Sequence, residues 1–201
     1  MKIMRIGIEI NGVIRDTLRK IQQEYEKWYI DNPFKEESDF IYKVFSDLNS
    51  LNIKEHLAFK DDDELYDFLY KEHTMEIFGH SGSVEMTSMN DLNDFYLDIR
   101  ELHDVLIVSD EMGKSKPASL FFLSKFGCLV ETIKFYSEVT INNSLWNSVD
   151  ILLTANPNLL LNYPKDKLVI KYETVYNMDI ECEHTIKSIK ELKNKILEIY
   201  A

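Results

Sequence analysis

The sequence predicts an α/β fold: a parallel sheet covered by helices on both faces, with a helical segment inserted after the first strand. Three observations lead there. Short, β-branched apolar runs alternate with amphipathic stretches, as in βαβ units. The apolar runs stop at turn signals such as Asn11-Gly12 and Asn156-Pro157. The stretch from about residue 17 to 104 repeats apolar residues at steps of three and four and carries no strand signal.

Lys2 to Ile10 (KIMRIGIEI) reads as a buried strand ending in a turn. Leu18, Ile21, Tyr25, Trp28 and Tyr29 share a helix face, and Asn32-Pro33 ends that helix. Ile41, Val44, Phe45 and Leu48 repeat the pattern, as do Leu65, Phe68 and Leu69 behind the acidic run Asp61 to Glu64. Such a run favours a helix start, where carboxylates cap free N–H groups and oppose the positive end of the dipole; a cation site is the alternative. Leu92, Phe95, Ile99 and Leu102 mark another helix. Val105 to Val108 is a second strand, ending at Ser109-Asp110-Glu111. Pro117 to Phe126 is a helix with Pro near its start and Gly127 past its end. Ile133 to Tyr136, Asp150 to Thr154 and Lys167 to Lys171 complete five strands, and Ile186, Ile189, Leu192, Ile196 and Ile199 form a closing helix. The division expected is an α/β core of 1–16 and 80–201 around a helical cap of 17–79.

Of the 201 residues, 45% are hydrophobic, which suits one core with a modest insertion. Lys and Arg number 23 against 35 Asp and Glu, a net charge of −12. That charge opposes nucleic acid and anionic membranes and suits solubility, with docking on a basic partner as the alternative. Cys128 and Cys182, with no CxxC, exclude a disulfide framework and a cysteine zinc site and point to a reducing cytoplasm. The five histidines offer no i, i+4 pair for a metal. Richness in Ile, Lys, Asn and Tyr suits an AT-rich genome, a low-GC bacterium or a bacteriophage; a phage-encoded chain would be virion-associated. The aromatic residues of the insertion (Trp28, Tyr29, Phe34, Phe40, Tyr42, Phe45, Tyr66, Phe68, Tyr70) suit a helical core, with a base-stacking pocket as the alternative.

Ligands of open parallel sheets bind at the carboxyl ends of the strands. Those ends offer Glu9, Asn11 and Gly12, then Ser109 with Asp110, then Thr154, Ala155 and Asn156. Ile-Gly-Ile-Glu-Ile-Asn-Gly-Val resembles the first motif of the haloacid dehalogenase (HAD) superfamily, an apolar strand followed by Asp-x-Asp-Gly-Thr/Val. Val-Leu-Ile-Val-Ser resembles its second motif, and Val-Asp-Ile-Leu-Leu-Thr-Ala-Asn-Pro-Asn-Leu its fourth. The order of these segments, the insertion after the first, Ile77-Phe78-Gly79 and Val175-Tyr176-Asn177 are most similar to the 5′(3′)-deoxyribonucleotidase-like phosphatases. The resemblance implies a HAD-like Rossmannoid sheet with a helical cap.

It also implies a departure from the family's chemistry. Glu9 stands where the nucleophilic, Mg²⁺-binding Asp belongs, and an extra methylene moves the carboxylate by roughly 1 Å, enough to cost about 10²-fold in rate. Asn11 replaces the acid–base Asp and has no useful proton to exchange near neutral pH. Thr154 and Ala155 replace the acids that complete the Mg²⁺ site. The family's lysine has no counterpart in Thr140 to Asn147, and Lys114, Lys116 and Lys134 are poorly placed to substitute. Only Ser109 is kept. The expectation is therefore a catalytically inactive HAD-like protein, without metal or cofactor, serving as a protein-binding or structural subunit. Gly12, Asp110 and Asn156 are the residues left to contact a ligand. The alternatives are an Mg²⁺-dependent nucleotidase-like phosphatase with a rearranged site, to which Asp110 or Glu111 lends a carboxylate, and a nucleotide or phosphate sensor.

Overall fold

A computed structural model describes residues 3–30 and 50–200. Strand β1 (Arg5–Glu9) pairs in parallel with β2 (Asp104–Ser109) on one side and β4 (Ile151–Thr154) on the other. β3 (Ile133–Phe135) flanks β2, and β5 (Leu168–Tyr172) flanks β4. β6 (Thr185–Ile186) closes the far edge, giving one six-stranded parallel sheet in the order β3-β2-β1-β4-β5-β6. The order reverses at β1, so a crevice opens between the carboxyl ends of β1 and β4. That topology places the ends of the Glu9 and Thr154 strands side by side.

Both faces of the sheet are buried, which explains the unbroken apolar strands. One face carries Ile6, Ile8, Ile107, Ile151 and Leu153, packed under Leu92 and Phe95 of α4 (Ser88–Ile99), Phe122 of α5 (Ser115–Lys125) and Leu192 and Ile196 of α7 (Leu192–Tyr200). The other carries Leu106, Val108, Leu152 and Val169 against Leu145, Trp146 and Leu159 of α6 (Pro157–Leu161). Gly7 faces this second layer, and a Cβ there would stand 2.6 Å from Val149 Cγ1, so the strand needs glycine for close packing.

Between β1 and β2 the regular elements described are helical: α1 (Thr17–Tyr25), α2 (Ile53–His56), α3 (Asp62–Asp67), π-helical turns after α1 and α3 and at Met75–Gly79, and then α4. Ile21, Tyr25, Leu57, Phe68, Leu69, Ile77 and Phe78 make a small core that rests on Ala118 of α5. Asp61 caps α3, its carboxylate accepting from the Glu64 N–H at 2.9 Å, so the acidic run is a helix start. The helix expected through Ile41, Val44, Phe45 and Leu48 lies outside the described residues, as do Phe34, Phe40 and Tyr42. Among the described residues no helix is long and apolar enough to cross a membrane.

Three expectations are corrected. The sheet has a sixth strand: Ile186 belongs to β6, and a 3₁₀ turn at Ile189–Glu191 separates it from α7, which begins only at Leu192. The steps of three between Ile186, Ile189 and Leu192 imitate a helix because all three are buried on the same side of the sheet. Leu102 lies past the end of α4 and is exposed. Trp28 sits in the π-helical turn after α1 and is also exposed.

Candidate functional site

The crevice between β1 and β4 opens into a cleft of about 620 Å³. Glu9, Asn11, Gly12, Asp110 and Asn156, all singled out from the sequence, line it. Ser109, Thr154 and Ala155 are fully buried and lie off its wall. Leu18, Ile21 and Ile53 of the insertion supply an apolar side, and residues 172–176 after β5 supply another.

Glu9 ends β1 and is 1% exposed. One carboxyl oxygen accepts from the Tyr136 hydroxyl at 2.9 Å, and the other is bonded by the Thr154 hydroxyl. Burial, with the neighbouring negative charge of Asp110, pushes its pKa up to about 8 despite these hydrogen bonds and one from the Ala155 N–H. At neutral pH the group is therefore mostly a neutral acid. Thr154 is held in turn, accepting from the Asn156 N–H at 3.0 Å.

Asn11 orients the second carboxylate. Its side-chain oxygen accepts from Arg15 Nη2 at 2.6 Å and from the Thr17 hydroxyl at 2.6 Å. With the oxygen fixed, the amide nitrogen must face the other way, and it donates to Asp110 Oδ1 at 2.8 Å. Arg15 is completely buried and makes the most contacts of this network. It donates to Thr17 Oγ1 (3.0 Å), the Phe78 carbonyl (2.7 Å) and Ser119 Oγ (2.5 Å), pairs with Glu111, and lies over the rings of Phe78 and Phe122. Ser119 also donates to Glu111. Asp110 and Glu111, adjacent in sequence, thus part company: Asp110 is exposed on the cleft, while Glu111 is buried under it.

Gly12 makes the turn into the site with φ of +74°, a conformation that side chains disfavour. A methyl group there would also overlap the Tyr176 hydroxyl. Gly12→Ala should therefore cost about 1–3 kcal/mol in urea denaturation, backbone strain and the displaced ring acting together.

The donor set does not fit a resident Mg²⁺, which wants several hard anionic oxygens in octahedral array. Both Glu9 oxygens are already hydrogen-bonded and the group favours its neutral form. The Thr154 hydroxyl is committed to Glu9, and Ala155 offers a methyl. Among the described residues no group of three or more His, Cys, Asp or Glu is placed to hold a metal ion.

Sequence reading missed Arg15, Thr17, Ser119 and Tyr136 as site residues, whereas Tyr176 stands in the Val175-Tyr176-Asn177 segment that carries the family resemblance. Only Arg15 left a trace: four of the 23 basic residues are arginine, and this one follows the apolar pair Val13-Ile14 at a strand end. A buried charge of that kind needs a fixed, forked donor, which lysine does not provide.

No family model matches the sequence, and no curated protein matches it. Solved structures do. A haloacid dehalogenase-like hydrolase of Burkholderia xenovorans LB400 superposes with a TM-score of 0.59 over 100% of both chains at 10% identity. A haloacid dehalogenase-like family hydrolase of Streptococcus pneumoniae does so with a TM-score of 0.56 over 99% of both at 11% identity. Their description as hydrolases overturns the expectation of a catalytically inactive protein-binding or structural subunit, and the phosphatase-like alternative accords with it better. By its six-stranded parallel sheet, its crevice at β1 and β4 and this end-to-end likeness, the chain has the haloacid dehalogenase-like fold.

Proposed function

We propose that the protein is a phosphomonoester hydrolase with a rearranged HAD-like site that works by carboxyl acid–base chemistry without a resident metal. One observation carries the reading: two carboxyl groups in contrasting surroundings meet the same cleft. Glu9 is buried and favours its proton, whereas Asp110 is exposed and held by an amide donor. A buried carboxyl that keeps its proton suits the role of acid, and an exposed carboxyl on the same cleft that of base. In the reaction, Asp110 takes a proton from water as the water oxygen bonds to phosphorus. The ester P–O bond breaks, and Glu9 gives its proton to the departing alcohol. Solvent then returns the proton from Asp110 to Glu9. A neutral Glu9 also spares the incoming phosphate one repulsion. The phosphomonoester class is supported by the likeness of the strand-end motifs to nucleotidase-like phosphatases.

The test compares an alkyl phosphate with p-nitrophenyl phosphate, in EDTA and in Mg²⁺. Both should release phosphate in EDTA. Asp110→Asn should slow both by about 10²-fold, the usual scale of a lost general base. Glu9→Gln should slow only the alkyl ester, whose alkoxide needs a proton. Above pH 8 the parent's kcat/KM for the alkyl ester should fall about tenfold per unit as Glu9 ionises. No release from either ester between pH 5 and 9 refutes the hydrolase reading, and a strict need for Mg²⁺ refutes its metal-free part.

A further inference from the structure

The charge around the cleft says what else its ligand must carry. Besides Glu9, four carboxylates line it, Asp16, Glu85, Asp110 and Glu173, against one ammonium, Lys187. Lys187 is committed to Glu173 at 2.9 Å. Among the described residues no Lys, Arg or His stands within ion-pair distance of Asp16, Glu85 or Asp110. Asp16 caps α1 and feels the attraction of Arg19, while Glu85 accepts from the Ser188 hydroxyl at 2.8 Å, a bond that fixes that carboxylate without cancelling its charge. Arg15 is spent on Glu111 below the cleft.

A cavity of this size, with two uncompensated carboxylates, Glu85 and Asp110, and a wall of Leu18, Ile21 and Ile53, favours over a plain phosphate ester one whose alkyl chain ends in a cation. We infer that the substrate is zwitterionic: the phosphate ester of an aliphatic amino alcohol, its ammonium group facing the carboxylates that line the cleft and its carbon chain lying along the insertion. The inference rests on the hydrolase reading and narrows it. The apolar side fits the chain, since burying each methylene contributes about 0.8 kcal/mol. The acidic side fits the amine, and the ligand's own ammonium offsets the repulsion its phosphate meets.

The experiment pairs 5-aminopentyl phosphate with 5-hydroxypentyl phosphate, equal in length and differing only in the terminal cation. At low ionic strength kcat/KM for the amino ester should exceed that for the hydroxy ester at least tenfold. The ratio should shrink in 0.5 M NaCl, where the Debye length is only a few ångströms. Glu85→Gln should lower the ratio severalfold, and Lys187→Ala, which leaves Glu173 only the more distant Lys171 at 3.9 Å, should raise it. Equal turnover of the two esters overturns the inference and leaves the hydrolase reading standing. Preferential thermal stabilisation by the amino ester without turnover of either supports the cationic site and sinks the hydrolase reading. Neither turnover nor stabilisation overturns both.

Discussion

Glu9→Gln should make the folded protein more stable than the parent by about 3–5 kcal/mol at pH 9, and no more stable at pH 4. The sign follows from where the proton sits. In the unfolded chain Glu9 releases it near the ordinary 4.5, but in the folded chain burial keeps it bound until about 8. Between those values the folded state holds a proton that the unfolded state has lost, so the parent's stability falls as pH rises through the window, by about 1.4 kcal/mol per unit, and levels off above it. Glutamine is neutral throughout and can still receive the Tyr136 hydroxyl or the Thr154 hydroxyl. Urea denaturation from pH 4 to 9 should give two curves that meet at the acid end and separate steadily to pH 8. Parallel curves would show that Glu9 ionises normally and would remove the acid from the proposed reaction. The same substitution thus stabilises the fold and disables turnover of the alkyl ester, as expected where a site maintains an unfavourable group for its chemistry.

The strand ends were legible in the sequence and the states of their side chains were not. Apolar runs halted by Asn11-Gly12, Ser109-Asp110 and Asn156-Pro157 mark β1, β2 and β4, because a strand buried on both faces admits only apolar residues until it leaves the sheet. From those ends came five of the cleft-lining residues. The replacements at Glu9 and Asn11 suggest lost function because the sequence does not show what surrounds them in space. Glu9 owes its neutrality to the burial that the whole sheet provides and to Asp110, which stands just past the end of a different strand, β2. Asn11 owes its orientation to Arg15 and Thr17, and what it orients is Asp110, 99 positions away. β6 escaped for a simpler reason: two residues at a sheet edge have no periodicity to read.

Arg15→Met should cost about 3–5 kcal/mol, the scale on which a buried ion pair loses one partner. The guanidinium and Glu111 are both almost fully enclosed, and burial already raises the pKa of Glu111 while Arg15 opposes that rise. Without the arginine, Glu111 faces an apolar pocket as an uncompensated charge, and Ser119, Thr17 and the Phe78 carbonyl each lose a donor. Adding Glu111→Gln removes the stranded charge, so the double variant should recover most of the lost stability, because an apolar or neutral replacement of a whole buried pair is often nearly neutral. Activity should not recover with it. The Asn11 oxygen would keep only the Thr17 hydroxyl, so the amide that donates to Asp110 would be held less firmly. Urea denaturation and alkyl phosphate turnover on the parent, the single and the double variant separate the two roles. Recovery of both in the double variant would make Arg15 a support of the fold alone. Recovery of stability with turnover still low would place Arg15, beneath the cleft and out of reach of substrate, as the residue that sets the orientation of the base.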